Sequence, residues 1–323
     1  MNAAGRLAAF GAGLVVAFTA AYVTAAAVVP ETAPTATQNL GAEPASDHSA
    51  PTEQALPVSP LSDDPPGLSL AQDGYTLGAV RAPGAANDRG SLSFTIAGPS
   101  GTPLLDYATV HDKQLHLIVV RSDGQYFAHV HPVLDQATGM WSTPWMWKAA
   151  GTYRVFADFQ PTKAGSAKLT LTRTVDVAGE MTTSPPLTTR TVDEIAGYTV
   201  ELDGALTAGV SKLVTAKITR DGEPVTTLQP YLGAYGHLVA LREGDLAYLH
   251  VHPEGAEPVG DRTGGPGVSF AATAPTAGRY LLYLDFKVAD TVHTATFVID
   301  AARGDANQPV PEPSRGPGHA GGH

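Results

Sequence analysis

The sequence contains no cysteine, and this absence excludes several kinds of chemistry at once. Without a thiol the chain can form no disulfide bond, no thiolate metal site, no cysteine nucleophile and no blue-copper electron-transfer centre. Methionine is also scarce, because only four are present and they form no methionine-rich repeat. A copper(I) site of thioether ligands is therefore unsupported. Any transition-metal site would have to use histidine and carboxylate ligands.

Positive charge is scarce as well, with 20 Lys and Arg against 31 Asp and Glu and a net charge of -11. No basic stripe is visible, so we expect no binding to nucleic acid, which requires clustered Lys and Arg. We also find no Ser/His/Asp arrangement, Walker-type loop or other catalytic motif, and we predict that the protein is not an enzyme. A metalloenzyme with three histidines and an open water position is the chemically possible exception.

The one long apolar run lies near the N-terminus, from Leu7 to Val29, and these 23 residues carry no charge. This length is enough to span a bilayer. We predict a cytoplasmic segment at 1–6, an uncleaved transmembrane anchor at 7–29 and an extracytoplasmic remainder. Cleavage at Ala25-Ala26-Ala27 would instead release a secreted protein. A buried helix of a soluble protein is the remaining alternative.

The rest of the chain divides by composition and internal similarity. GYTL at 74–77 matches GYTV at 197–200, and the nine residues from Gly151 to Phe159 match those from Gly278 to Phe286. Each repeat has short strand patterns with regular turn signals, which favour an antiparallel sandwich. We therefore predict an all-β fold with two tandem immunoglobulin-like or cupredoxin-like antiparallel β-sandwich domains. The predicted segments are a Pro/Ala/Ser/Thr-rich stalk at 30–66, repeat 1 at 67–178, a linker at 179–195, repeat 2 at 196–302 and a tail at 303–323.

Two histidine triplets recur at the same internal spacing, 121 residues apart. The first triplet is His116, His129 and His131, and the second triplet is His237, His250 and His252. Their segments, LHLIVVRSDGQYFAHVHP and GHLVALREGDLAYLHVHP, have the pattern of a β-hairpin.

The turn positions set the pairing within each hairpin. Turns at Asp123-Gly124 and Gly244-Asp245 place Ile118 opposite His129 and Val239 opposite His250. Directly opposed residues share a face of the sheet, and so do alternate residues of one strand. All three histidines of each triplet should therefore project to one side of the hairpin.

Three neutral imidazoles on one hairpin suit copper(II), zinc or nickel. Pro132 and Pro253 cannot donate to a strand ladder, so the strand should end there and place the site at a strand end. Asp158 and Asp285 occupy equivalent positions and are candidates for a fourth ligand, for an acceptor that orients an imidazole, or for a structural ion pair. The alternative to metal binding is that the histidines satisfy one another in a partly dry core.

Other residues are weaker candidates for a site. His111 and His293 have no counterpart in the other repeat, and we interpret them as surface or structural residues. Arg121 and Arg242 lie on the face opposite the histidines and are interpreted as salt-bridge or capping residues. The tail histidines would capture metal only loosely, and the tryptophans after the first hairpin are interpreted as core aromatics. The tail residues are His319 and His323, and the tryptophans are Trp141, Trp145 and Trp147.

The paired elements H-L-[IV]-x-x-R and H-V-H-P, with the segments DKQLHLIVVR and LQPYLGAYGHLVALR, carry a resemblance that extends over residues 74–300. This part of the chain resembles a group of actinobacterial membrane-anchored secreted proteins suspected of heavy-metal or copper handling. It is less similar to the periplasmic β-sandwich copper carriers, which bind copper(II) through His-x-His and a carboxylate. Those carriers often use a free mature N-terminus as a ligand, and this chain departs from them there.

Together these observations predict a membrane-tethered extracytoplasmic protein that sequesters or relays a metal ion through both triplets. Copper(II) is the first choice of ion and zinc the second. The expected partners are the metal ion and, through the N-terminal helix, the membrane. The alternative is a structural or adhesive surface protein of tandem immunoglobulin-like domains that binds no metal.

Overall fold

The computed structural model describes residues 65–182, 187–255 and 257–304. The predicted anchor at 7–29, almost all of the predicted stalk and the tail beyond residue 304 lie outside these residues. The described residues contain no α-helix, and so they include no helix that could cross a membrane.

The described residues form short strands joined by turns. In chain order the strands are β1 (Ala71–Gln72), β2 (Tyr75–Leu77), β3 (Gly90–Ala97), β4 (Leu115–Arg121), β5 (Ala128–Val130), β6 (Val133–Asp135), β7 (Met140–Trp145), β8 (Gly151–Phe159), β9 (Leu169–Val177), β10 (Val192–Ile195), β11 (Tyr198–Asp203), β12 (Leu206–Thr207), β13 (Ser211–Arg220), β14 (Glu223–Pro224), β15 (His237–Arg242), β16 (Tyr248–Pro253), β17 (Gly267–Thr273), β18 (Gly278–Val288) and β19 (Thr291–Ala302).

The first repeat is an antiparallel sandwich of two sheets, with strand orders β1-β2-β3-β7-β6 and β5-β4-β8-β9. Apart from β1, these orders correspond to strands A-B-E-D and C′-C-F-G of an immunoglobulin-like sandwich. Buried side chains from both sheets form one core, among them Phe94 of β3, Leu117 of β4, Trp141 of β7 and Val155 of β8. The all-β prediction is confirmed, and the strand order is the immunoglobulin-like one.

The second repeat has the same strand order, β10-β11-β13-β17-β16 and β16-β15-β18-β19. Its strand β16 belongs to both sheets, because Leu249 pairs with Ala240 of β15 whereas residues 250–253 pair with β17. In the first repeat the same stretch is divided into β5, which ends at Val130, and β6, which begins at Val133. In both repeats the chain therefore changes sheets at the His-x-His-Pro segment. Pro253 is the last residue of β16, as predicted, whereas β5 already ends at Val130, two residues before Pro132.

The first hairpin has the predicted register, with Ile118 opposite His129. In the second hairpin only Ala240–Leu249 and Leu241–Tyr248 pair in the predicted register. The predicted pair of Val239 with His250 does not form, because His250 pairs with Thr273 of β17 after the chain has changed sheets. The pairing follows from the alternation of apolar residues and from the turn residues between the strands. It places the first triplet at one end of the β4–β5 ribbon.

The apolar side chains on the face that carries the first triplet are covered, because the two repeats pack against each other through them. At this contact an aromatic residue of each hairpin packs against an aromatic residue of the other repeat, and the two pairs occupy equivalent positions. Phe127 stacks on Tyr283 with ring centroids 4.0 Å apart, and the rings of Tyr248 and Phe156 lie 6.1 Å apart. Such an arrangement is the sign of a pseudo-twofold axis. The apolar cluster consists of Ile118, Val120, Phe156, Val239, Leu241, Leu246, Leu281, Tyr283 and Val298.

Candidate metal centre

The three side chains of the first triplet converge. His116 comes from β4, His129 from β5 and His131 from the segment that crosses between the sheets. Nδ1 of His116 lies 3.1 Å from Nε2 of His129 and 3.2 Å from Nε2 of His131. One ligand nitrogen of each residue lies within 4.8 Å of the others. The predicted hairpin thus brings its three imidazoles together.

These separations match those of nitrogen atoms that share a metal ion. With metal–nitrogen bonds of about 2.0 to 2.1 Å, two ligands of a tetrahedral site lie about 3.3 Å apart. The two short distances in the first triplet, 3.1 and 3.2 Å, differ from this value by only a few tenths of an ångström. A tetrahedral ion would therefore require little movement of these rings.

Hydrogen bonds at the outer edges of two rings fix which nitrogen carries the proton. Nε2 of His116 lies 3.0 Å from the carbonyl oxygen of Val110 and must donate to it. Nδ1 of His129 lies 2.9 Å from a carboxylate oxygen of Asp285 and donates in the same way. The facing nitrogens, Nδ1 of His116 and Nε2 of His129, lie 3.1 Å apart. At this distance they are bridged either by a proton in a hydrogen bond or by a metal cation.

Burial favours the neutral form of His116 and His131. Desolvation, with a smaller contribution from nearby His129, lowers the pKa of His116 to about 4 and that of His131 to about 3. The same two causes lower the pKa of His237 to about 4. Only the neutral imidazole binds a metal ion, so His116 and His131 could bind one without first losing a proton.

The two candidate aspartates are buried and occupy equivalent positions, but they have different partners. Asp158 accepts a hydrogen bond from Thr170 at 3.0 Å and pairs with Lys168 at 2.7 Å. Asp285 accepts one hydrogen bond from Thr294 at 2.6 Å and another from His129 of the first repeat. Neither belongs to the converging group of ligand atoms. Their contacts are those of a structural ion pair for Asp158 and of an acceptor that orients an imidazole for Asp285.

The described side chains do not bring the second triplet together. Nε2 of His237 donates to the carbonyl oxygens of Tyr231 and Leu232, both at 3.0 Å, much as His116 bonds to Val110. The side chain of His250 lies outside the described part of the chain. His252 is exposed and lines a different cavity. A metal site at the second triplet therefore stays a prediction.

The sequence analysis interpreted His111 as a surface or structural residue, but its ring lies near the first triplet, 5.3 Å from that of His237 and 6.3 Å from that of His116. His111 and Asp112 form a turn in which both φ angles are positive, 50° and 61°. This region is costly for residues other than glycine, and such strain is often found at functional sites. The only sequence signal for His111 is its position in the chain, in the turn that leads into the strand of His116.

Residues of both repeats line one cavity of about 50 Å³ at this place. Its polar lining consists of His111, His116, His129, Asp158, Lys168 and His237. The two hairpins therefore contribute side chains to a single cavity, a relation that the sequence does not determine.

The residues that were interpreted as structural have structural contacts. Arg121 pairs with Asp123, and Arg242 pairs with Asp245 in the second hairpin. His293 packs against the aromatic rings of the second repeat, away from the first triplet. The three tryptophans belong to the core of the first repeat or pack against it.

The comparison with protein families accounts for the internal repeat. A family model described as Domain of unknown function (DUF8832) matches residues 70–179 and again residues 190–303. The chain belongs to the DUF8832 family. Its two sandwiches are two copies of this domain, which face each other across the pseudo-twofold axis. A search of the curated proteins returned no match.

The DUF8832 chain is also similar to parts of several solved structures. The adhesin InvE of Yersinia pseudotuberculosis is 14% identical, with a TM-score of 0.21 over 72% of this chain and 60% of that structure. InvD of the same organism is 12% identical, with a TM-score of 0.22 over 75% and 62%. An alpha-2-macroglobulin of Salmonella is 16% identical, with a TM-score of 0.23 over 76% and 16%. The DUF8832 chain thus spans about 60% of the length of the two Yersinia structures.

Proposed function

We propose that this protein binds a divalent transition-metal ion at the first triplet and serves as an extracytoplasmic metal-binding module. The observation that carries the proposal is the convergence of three ring nitrogens, with Nδ1 of His116 lying 3.1 Å from Nε2 of His129 and 3.2 Å from Nε2 of His131. Their outer nitrogens are held by Val110 and Asp285, so neither ring can turn its proton inward without losing a buried hydrogen bond. A metal ion satisfies all three rings at once.

Copper(II) is the ion that we expect to bind most tightly, followed by zinc. Imidazole nitrogen suits both ions, and copper(II) exceeds zinc in the general order of affinities for such ligands. The absence of cysteine removes the ligand type that would favour copper(I). We propose that the protein sequesters or relays this ion outside the membrane to which the N-terminal segment tethers it.

The test is a competition titration of the intact chain with copper(II) and with zinc against a chromophoric chelator. We expect one tight site for each ion in the wild-type protein. Replacing His129 and His131 with alanine should remove it, because only one imidazole of the triplet remains. The matched control replaces His250 and His252, the equivalent residues of the second domain, and should keep the tight site. Loss of tight binding in the control alone would reject the assignment to the first triplet.

The second candidate function is that of a surface protein without metal, in which the histidines only pack against one another. The contacts of His116 with His129 and His131, at 3.1 and 3.2 Å, are also those of side chains that hydrogen-bond to one another. This alternative predicts that the wild-type chain shows no tight site in the titration. It also predicts that removing the triplet changes stability but no metal-dependent property.

A further inference from the structure

We infer that Asp285 is the positioning residue through which a metal ion bound by the first domain locks the second domain in place. The inference rests on the proposed function. All three ligands of the first triplet belong to the first domain, whereas Asp285 lies on β18 of the second. Its carboxylate accepts the Nδ1 proton of His129 at 2.9 Å, and the two side chains are only 4% and 5% exposed. One buried hydrogen bond therefore joins the metal centre to the neighbouring domain.

The second domain holds this carboxylate in a fixed orientation. Thr294, directly opposite Asp285 in the β18–β19 pair, donates a hydrogen bond to Oδ1 at 2.6 Å. The other oxygen, Oδ2, is the one that faces His129. On its other side Asp285 pairs with His237 across β15 and β18, within a sheet that is buried at this point. Asp285 is thus presented to the first domain by a rigid sheet.

A metal ion at Nε2 would strengthen this contact between the domains. Coordination withdraws electron density from the imidazole ring, so that its Nδ1 proton becomes a better donor to a carboxylate. Hydrogen bonds with a charged acceptor are stronger than neutral ones, and a buried site increases the difference. The coupling is reciprocal, since whatever tightens the docking of the domains must also raise the metal affinity.

The equivalent aspartate of the first domain provides the contrast. Both described partners of Asp158, Thr170 and Lys168, belong to its own domain. Thr170 lies opposite Asp158 in the β8–β9 pair as Thr294 lies opposite Asp285. Removing the hydroxyl of either threonine changes no charge. The two threonines therefore form a matched pair. Only Thr294 supports a carboxylate that forms the hydrogen bond between the domains, from His129 to Asp285.

The experiment measures metal affinity and hydrogen exchange on the intact chain with and without copper(II) or zinc. For Asp285→Asn we expect a 10- to 100-fold loss of metal affinity, the usual effect of losing such a partner of a metal-binding histidine. Metal should slow exchange of the β18 amides in the wild-type chain and not in this variant. Thr294→Val should change both quantities in the same direction by a smaller factor. Thr170→Val should leave both at the wild-type values.

The outcomes separate this inference from the proposed function. If the wild-type chain binds no metal, the proposed function fails and the inference fails with it. If the wild-type chain binds metal and Asp285→Asn keeps wild-type affinity and metal-dependent protection, the inference alone is overturned. Lost affinity with intact protection of β18 would also overturn it, because Asp285 would then support the ion without locking the domains. If Asp285→Asn does not fold, the charge-neutral Thr294→Val variant is used instead, and wild-type metal affinity and wild-type protection of β18 in this variant would overturn the inference.

Discussion

Gly124 lies in the turn of the first hairpin, where its backbone contacts the second domain. Its φ angle is +80°, and its carbonyl oxygen accepts a hydrogen bond from the hydroxyl of Tyr283 at 2.7 Å. A Cβ atom on Gly124 would overlap Cδ1 of Leu281 and lie 3.1 Å from Cδ1 of Leu187. Gly124→Ala should therefore disturb the contact between the domains. Gly101 is a matched control, because its φ angle is +79° and a Cβ atom there meets nothing within 4 Å.

The magnitudes follow from two separate costs. A residue with a Cβ in the left-handed region costs about 1 to 2 kcal/mol, and both variants have this cost. Overpacking a filled contact adds about 1 to 3 kcal/mol, and only Gly124→Ala has it. The difference in stability between the variants should therefore be about 1 to 3 kcal/mol. For a protein of this size, 1 kcal/mol corresponds to about 2 to 4 °C in melting temperature.

The assay is differential scanning calorimetry of the wild-type chain and both variants, with a chelator present so that metal does not contribute. We expect Gly124→Ala to melt clearly below Gly101→Ala. The metal affinity of Gly124→Ala should also fall, because its hairpin carries the first triplet toward Asp285. Equal melting temperatures would refute the packing of this turn against the second domain, and with it the geometry of the shared centre.

Two further predictions concern metal and pH. Free metal at about 1,000 times the dissociation constant should stabilise the folded chain by about 4 kcal/mol. This stabilisation corresponds to a rise in melting temperature of about 8 to 16 °C, which a chelator should reverse. An unchanged melting temperature would favour the surface-protein alternative. In metal-free protein, burial lowers the pKa of His116 and His237 to about 4, below the ordinary value of 6.5 that we expect for the unfolded chain. The unfolded chain then binds more protons, so stability should be full above pH 6.5 and decline as the pH falls toward 4, by about 1.4 kcal/mol for each unit of pKa difference. Denaturant midpoints measured across this range check the prediction, and a flat profile would contradict the burial of these rings.

Much of the local structure could be predicted from the sequence. The turn at Asp123-Gly124 and the alternation around it determine that His129 lies opposite Ile118, and the structure has this pairing. Pro253 is the last residue of its strand, since it has no amide proton with which to continue the ladder. These features depend on neighbouring residues and on backbone geometry, both of which can be read along a single strand or hairpin. The second triplet and the N-terminal anchor stay predictions.

The relation between the two domains could not be read in this way. Ile118 and Val239 look like core residues of their own sandwiches, but they pack across the pseudo-twofold axis against the other domain. A strand has two faces, and a sequence pattern shows which residues share a face without showing what covers it. The strand sequence around Asp285 likewise gives no sign of a partner 156 residues away.

The amino-acid sequence by itself determined the all-β class, the duplication, the two hairpins and the grouping of the first triplet on one face. These follow from local periodicity, turn chemistry and repetition. Only the tertiary structure decided that the histidine-bearing faces meet, that His111 joins them and that Asp285 of one domain orients His129 of the other. Such contacts depend on how two folded surfaces fit together, and no spacing within either repeat encodes that fit.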